Sequence, residues 1–483
     1  MVIPLPEMRL TLLLPEILLA LLAMALLLLS AWSGRESRGR IGSLAIAGIL
    51  LVLAVLATQT TTAPSTTFGG HFIDDNLTRF MKLLLLAATA LPLLMARDFL
   101  RRHDLDSGEF FVLSLFSLLG AMTMVSAGSF MVLYLGVELM SLPIYVLAAY
   151  QRDNLRSSEA GLKYFILGSL ASGILLYGIS LLYGATGTTL IGGVGATLKA
   201  SADHLSPLAV LGAALVVIGI GFKVAAAPFH MWAPDVYEGA PTPVTALIAI
   251  MPKVAAFAVL LRVLLDGFAP LQIHWGPMLQ LMAVVSLAVG SLGAIAQTNI
   301  KRLLAYSSIG HVGFLLIGLT TGNLLGRQAL LFYLAIYIFM SVGAFCLVLV
   351  LNKGGVGDEI REYAGLAKKR PLLAFLMAVF MFSMAGIPPL GGFIAKLYVL
   401  MAAVNAGMIG LAIVSVLFSA VGAFYYLRIV KIIYFDQADE PFAVEVGLTH
   451  QLVLALSAMV VLVSGLFPGR LLAWTQATIQ PFL

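Results

Sequence analysis

Apolar stretches of 18 or more residues recur from one end of this 483-residue chain to the other, and each is long enough to cross a hydrocarbon layer about 30 Å thick. Soluble chains carry about 25% charged residues, against 11% here, with 61% hydrophobic. A soluble fold would have to enclose a very large dry core, so the chain is expected to cross a membrane many times. Helix is the element that fits, because barrel strands are short and alternate polar with apolar positions. The runs predict an all-α polytopic membrane protein of about fourteen helices, near 10–31, 41–59, 75–97, 110–128, 130–150, 159–185, 206–230, 241–266, 277–297, 301–321, 327–352, 370–401, 408–435 and 448–467. The first run is too long for a signal peptide. It also contains Pro15 and Glu16, and Trp32-Ser33-Gly34-Arg35 makes a poor cleavage site.

The net charge of +5 does not point to nucleic acid, because the basic residues sit in short loops where they act as orientation signals. Alternate loops divide most of the 28 lysines and arginines 17 to 7. The richer side includes Arg35, Arg97, Arg152, Arg302 and Arg428; the poorer includes Arg79, Lys82, Arg262 and Arg327. The richer side is cytoplasmic by the positive-inside rule, and both termini then lie outside. The remaining four, Lys163, Lys223, Lys253 and Lys396, fall within apolar runs. Cys346 is the single cysteine, so neither an internal disulfide nor an iron–sulfur cluster held by this chain alone is expected. Most of the seven histidines lie in loops or near the ends of runs, which argues against paired haem ligands and leaves redox chemistry to partners.

A faint repeat runs through the middle of the chain. Tyr164 and Gly168 match Tyr306 and Gly310, and an Ala-Phe step before an arginine occurs at Ala256-Phe257 with Arg262 and at Ala423-Phe424 with Arg428. Helices four to eight (110–266) would then be repeated as nine to thirteen (277–435). Five is odd, so the second unit would be inverted in the membrane.

A lysine near the bilayer centre costs at least roughly 2.5–3.5 kcal/mol on insertion scales. Lys253 lies close to the midpoint of the eighth run, Lys223 lies five residues before Pro228 in the seventh, and Lys396 follows Gly386-Ile387-Pro388-Pro389-Leu390-Gly391-Gly392 in the twelfth. That stretch must interrupt its helix, since proline removes backbone donors, and interrupted helices at membrane depth line wet cavities. Glu138, near the middle of the fifth run, needs a partner to stay ionised. Lys223 is the economical choice, because attraction at roughly 4 Å is on the order of 4 kcal/mol at an effective dielectric near 20. Such a pair can act as a switch, holding the lysine's proton when closed and releasing it when parted. A lone intramembrane lysine can be a mere tether, but three lysines, a glutamate and a broken helix together point to proton movement. Lys163 fits either a snorkelling surface residue or a carrier. His311, beside Ser307 and Ser308, fits either a satisfied core histidine or a relay.

The segments Leu133–Tyr145 and Gly221–Pro243 closely resemble the antiporter-like subunits of respiratory complex I, the NADH-quinone oxidoreductase. Met251-Pro252-Lys253-Val254-Ala255 and Gly386–Lys396 extend the likeness, which runs from the first helix to the last. Lys396, where the M-type subunits have glutamate, and the want of a long lateral helix after the fourteenth run set it beside the N-type subunits. The resemblance implies two inverted five-helix repeats, broken seventh and twelfth helices, and a bacterial inner-membrane location. It implies a polar axis on which Glu138 pairs with Lys223, Lys253 is the central carrier and Lys396 passes the proton outward, with Lys163 and His311 on the same axis. No cofactor is then expected in this chain. NADH, FMN, iron–sulfur clusters and quinone would belong to partner subunits, and the neighbours would be other membrane subunits of the complex, including further antiporter-like ones. A subunit of a multisubunit cation/proton antiporter and a non-pumping scaffold are the alternatives.

Overall fold

The computed structural model describes residues 8–32, 38–59, 64–103, 105, 108–201, 204–353, 357–437 and 446–480. Arg35, one of the residues placed on the cytoplasmic side, lies outside them. Three N-terminal helices, α1 (Leu14–Trp32), α2 (Arg38–Thr58) and α3 (Asn76–Arg102), precede α4 (Gly108–Val125), α5 (Phe130–Ala148) and α6 (Leu155–Thr186). The short α7 (Ile191–Ala200) leads to α8 (Pro207–Lys223), α9 (Trp232–Gly239) and α10 (Thr242–Arg262). Then follow α11 (Gln272–Ile295), α12 (Ile300–Thr320), α13 (Leu324–Lys353), the single turn α14 (Leu366–Lys369), α15 (Pro371–Ala385), α16 (Gly391–Asn405) and α17 (Ile409–Phe435). The chain closes with α18 (Leu448–Leu466) and α19 (Gly469–Ile479).

Twelve helices among the described residues are long and apolar enough to cross a membrane, and α8, α15 and α16 are apolar but shorter. The protein is an all-α polytopic membrane protein, with one addition that the runs did not predict. Strands β1 (Ser65–Thr67) and β2 (Phe72–Asp74) pair antiparallel as a small ribbon between α2 and α3. The amphipathic α19 and the ten-residue α7 were not predicted either, being too short for a spanning run.

Local chemistry sets the helix ends. Asp75 accepts from Thr78 N at the start of α3, Ser129 from Val132 N at α5, Asn154 from Arg156 N at α6 and Asn299 from Arg302 N at α12, each satisfying a donor with no partner within its helix. The stop after α15 is Gly386, with φ at +85°, a backbone conformation that a side chain opposes. A Cβ there would also stand 2.8 Å from Lys396 Cδ, so the same glycine lets the lysine lie against the helix end.

Several helix pairs pack backbone to backbone, α4–α5 and α11–α12 among them. A Cβ on Gly120 of α4 would lie 2.2 Å from Met140 N of α5, and one on Gly290 of α11 would lie 2.4 Å from Gly310 N of α12. Small residues of this kind let helices approach closely where lipid supplies no hydrophobic drive. At the centre stands α10, buried from Thr242 to Arg262, while α1, α2 and α17 present much of their apolar surface outward. Lys253 therefore sits on the innermost helix.

Candidate functional site: a buried line of lysines, tyrosines and histidine

Helix α8 ends at Lys223, and eight residues of irregular backbone precede α9. Non-helical backbone at membrane depth needs partners inside the protein, and it has them. Ala227 N donates to Ser286 Oγ at 2.8 Å, and Trp232 Nε1 donates to Phe222 O at 3.1 Å. Ala225 holds φ at +59°, a left-handed conformation that costs an L-residue about 1–2 kcal/mol. The surrounding packing thus imposes this turn.

Lys223, only 3% exposed, donates to Ser141 Oγ at 3.0 Å, Tyr145 OH at 3.1 Å and Ser172 Oγ at 3.3 Å. Ser141 and Tyr145 stand three and seven residues after Glu138, on the same face of α5. Glu138 itself is half-buried, and its Oε1 is enclosed with no hydrogen-bond partner. The two residues brought together as a pair by the sequence are thus neighbours separated by hydroxyls, with no ion pair between them among the described residues.

Lys253 donates to Tyr237 OH at 2.8 Å and to Ala249 O at 3.1 Å. Tyr237 OH lies 3.3 Å from Ser308 Oγ, and the next serine along α12, Ser307, is hydrogen-bonded to Tyr426 OH. Tyr426 OH lies 3.2 Å from His311 Nε2, and His311 Nδ1 lies 2.7 Å from Tyr333 OH. His311 and Lys396 both line a cavity of about 20 Å³ with Ser291, Ser307, Ser419 and Tyr426. One water needs roughly 10–15 Å³ by the same measure, so the cavity has room for one between histidine and lysine. Lys396 donates to Ser419 Oγ at 3.0 Å and to Ala385 O at 2.9 Å. It thereby caps the last turn of α15, where a cation is favoured by the helix dipole.

Lys163 stands apart from this line. Its side chain is 42% exposed and pairs at 2.7 Å with both Glu159 and Asp235. Asp235 pairs in turn with Arg302 at 2.7 Å, and Arg302 with Glu238 at 2.9 Å. These residues and Arg156 line an open cleft of about 210 Å³.

The hydroxyl partners, Tyr237, Tyr333, Tyr426, Ser141, Tyr145 and Ser172, were missed by sequence reasoning, since hydroxyls do not stand out in an apolar helix. Lys82 needs correction: it was assigned to an outer loop, yet it is fully buried within α3, in contact with Glu16 at 2.6 Å. The run at 75–97 and α3 start within one residue of each other; counting the lysine with Arg79 among the outer basic residues is what misplaced it. Arg262 also lies inside, 4% exposed, paired at 2.8 Å with Asp75. Among the described residues no cluster of three or more His, Cys, Asp or Glu is placed to hold a metal ion, and Cys346 is buried as a free thiol.

Many spanning helices around a buried row of lysines, each bonded to hydroxyls or carbonyls in place of water, define an antiporter-like membrane subunit. Comparison with known proteins agrees. Residues 127–422 match the family described as NADH:quinone oxidoreductase/Mrp antiporter, transmembrane. The NADH-quinone oxidoreductase subunit N of Magnetococcus marinus is 55% identical, with 100% of both chains covered. That of Rhodospirillum rubrum is 49% identical over 97% of this chain and 96% of the other. A chain of respiratory complex I from Thermus thermophilus superposes with a TM-score of 0.81 at 34% identity, covering 95% of this chain and 98% of that one. A chain of the Mrp complex from Dietzia sp. DQ12-45-1b shares the fold, with a TM-score of 0.85 at 22% identity over 98% of each. The chain belongs to the NADH:quinone oxidoreductase/Mrp antiporter transmembrane family, and is a bacterial multi-pass inner-membrane protein that works within a large multisubunit complex.

Proposed function

We propose that this chain moves protons across the membrane as part of a proton-translocating NADH-quinone oxidoreductase, with Glu138, Lys223, Lys253, His311, Lys396 and Lys163 as its proton-handling groups. The observation that carries the proposal is two hydrogen-bonded sets of side chains, Lys253–Tyr237–Ser308 and Ser307–Tyr426–His311, which meet at adjacent serines of α12 and are followed by a water-sized cavity that ends on Lys396. Each member can both give and accept a proton when a lysine is in its neutral form. Lys223 stands among hydroxyls with Glu138 near but unpaired, and approach of Glu138 would hold the proton on it.

Two sets of five helices, 110–266 and 277–435, are taken as inverted repeats. The backbone-close pairs α4–α5 and α11–α12 open the two sets, and the gaps after α8 and α15 fall at their fourth members. These gaps are the breaks of the seventh and twelfth spans, so that fourteen spans result. The match of Tyr164 with Tyr306 does not support the repeat, because α6 and α12 hold different places in the two sets. With the basic ends of the helices inside, both termini face the periplasm. The neighbours are other membrane subunits of the complex, further antiporter-like ones among them, while NADH, FMN, iron–sulfur clusters and quinone sit elsewhere.

Tagging the chain, extracting it in mild detergent and assaying the purified assembly for NADH-driven quinone reduction tests the assembly. Proton uptake into reconstituted vesicles, with Lys253→Met beside the natural chain, tests the lysine line. Loss of proton uptake per NADH in the variant is expected. An unchanged ratio, or purification without quinone reduction, overturns the proposal.

A further inference from the structure

The N-terminal helices hold an acid–base pair that the line from Lys253 to Lys396 does not use. Glu16, in the first turn of α1, and Lys82 of α3 meet at 2.6 Å. Both are buried, with Lys82 at 0% exposure. Ser126 Oγ, just past the end of α4, donates to Glu16 Oε1 at 3.3 Å. The ring of Phe72 lies 5.1 Å from Lys82 Nζ, and Glu16 Oε2 is enclosed without a hydrogen-bond partner. The pair falls outside the region matched by the family, 127–422.

Stability does not account for it. Each ion loses several kcal/mol of hydration on burial, and a well-packed apolar pair in its place is commonly neutral or stabilising. An ionisable residue at membrane depth is more often kept for what it binds. The open acceptor, Glu16 Oε2, faces no donor, and a proton is the ligand it can take.

Helix α3 carries the pair along a polar line against α10. Thr89 is seven residues after Lys82, two turns along the same face, and its hydroxyl reaches Met251 Sδ at 3.4 Å, at the depth of Lys253 but about 200° round α10 from it. In the other direction Thr78 accepts from Arg262 at 3.1 Å, and Asp75 accepts from the same guanidinium at 2.8 Å. Lys82 stands between the two contacts.

We propose that Glu16 and Lys82 form a proton-holding site between Lys253 and the end of α10 marked by Asp75 and Arg262, by which protons leave. It rests on Lys253 being a proton carrier. A proton arriving on Glu16 turns the carboxylate–ammonium pair into a carboxylic acid beside an ammonium. Release of one proton to water at the outer end restores the first state, with no other bond made or broken and no net charge left behind.

The test uses the assembled complex in vesicles. The double variant Glu16→Leu/Lys82→Leu replaces the pair with apolar groups that should keep the helices around it packed. Normal assembly and normal NADH-driven quinone reduction are expected, with part of the proton yield per NADH lost. The variant Glu16→Asp/Lys82→Arg, which keeps an acid and a base, should recover the yield; failure to recover it counts against proton holding. Full proton yield in the double leucine variant overturns the proposal, as does loss of assembly, which would make the pair a tether. Lys253→Met measured in parallel separates the two readings. If it lowers the yield and the double leucine variant does not, only the Glu16–Lys82 site fails; if Lys253→Met also leaves the yield intact, the proton-carrier reading fails with it.

Discussion

Lys253 Nζ lies 2.8 Å from the phenolic oxygen of Tyr237, although the two belong to different helices, α9 and α10, joined by Ala240 and Pro241 alone. The tight connection holds the hydroxyl over the lysine. A hydrogen bond to a charged group contributes about 1.5–3 kcal/mol, so Tyr237→Phe should slow proton transfer roughly ten- to a hundredfold. Proton uptake rates in vesicles, normalised to quinone reduction, measure this. A rate within twofold of the natural chain would remove Tyr237 from the path.

Lys223→Ala should strongly reduce pumping and leave assembly intact, since the hydroxyls of Ser141, Tyr145 and Ser172 remain free to bond one another or water. The ratio of protons moved to electrons passed is the readout. A normal ratio would sink the switch formed with Glu138.

Gly422 lines the cavity between His311 and Lys396, and a Cβ there would meet Ser291 Oγ and Tyr425 at an ordinary 3.7 Å. Gly422→Ala should therefore fold normally. Its methyl takes space from a cavity with room for about one water, so proton transfer should fall without loss of the subunit from the complex. Retained pumping would show that no water in this cavity carries the proton.

Gly290→Ala should behave in the opposite way. Its Cβ would press to 2.4 Å from the backbone of Gly310, where nothing flexible can yield. Overpacking of this kind costs about 1–3 kcal/mol or more. Lower yield of the assembled complex and an earlier thermal transition are expected, with pumping per surviving complex near normal.

The sequence exposed those parts of the molecule in which one residue is out of keeping with its surroundings. A lysine or histidine inside an apolar run is visible at once, so Lys223, Lys253, Lys396 and His311 could be singled out, and the Pro388-Pro389 and glycine cluster marks where α15 stops and α16 starts. Lys82 escaped because it was counted with Arg79 as an outer orientation signal, although it lies inside the run at 75–97. Its partner Glu16 escaped because it falls at the start of α1. The tyrosines and serines around the lysines escaped because a hydroxyl is common in such helices and its partner lies up to 119 residues away, as for Ser307 and Tyr426. The cleft at Lys163 could not be foreseen either, since Asp235 and Arg302 come to it from α9 and α12.

That cleft sets how the membrane voltage is divided. Asp235 and Glu238 face it from the eight-residue α9, while Tyr237, turned about 200° from Asp235, touches Lys253 on the far side. Water filling the cleft would leave the thickness of one helix, about 10 Å, of a layer about 30 Å thick on that side, so roughly two thirds of the potential would drop beyond Lys253. On the proposed path, a proton entering from the cleft therefore crosses roughly a third of the field to reach Lys253. The remaining step does the larger part of the electrical work, the whole being about 2.3 kcal/mol for each 100 mV.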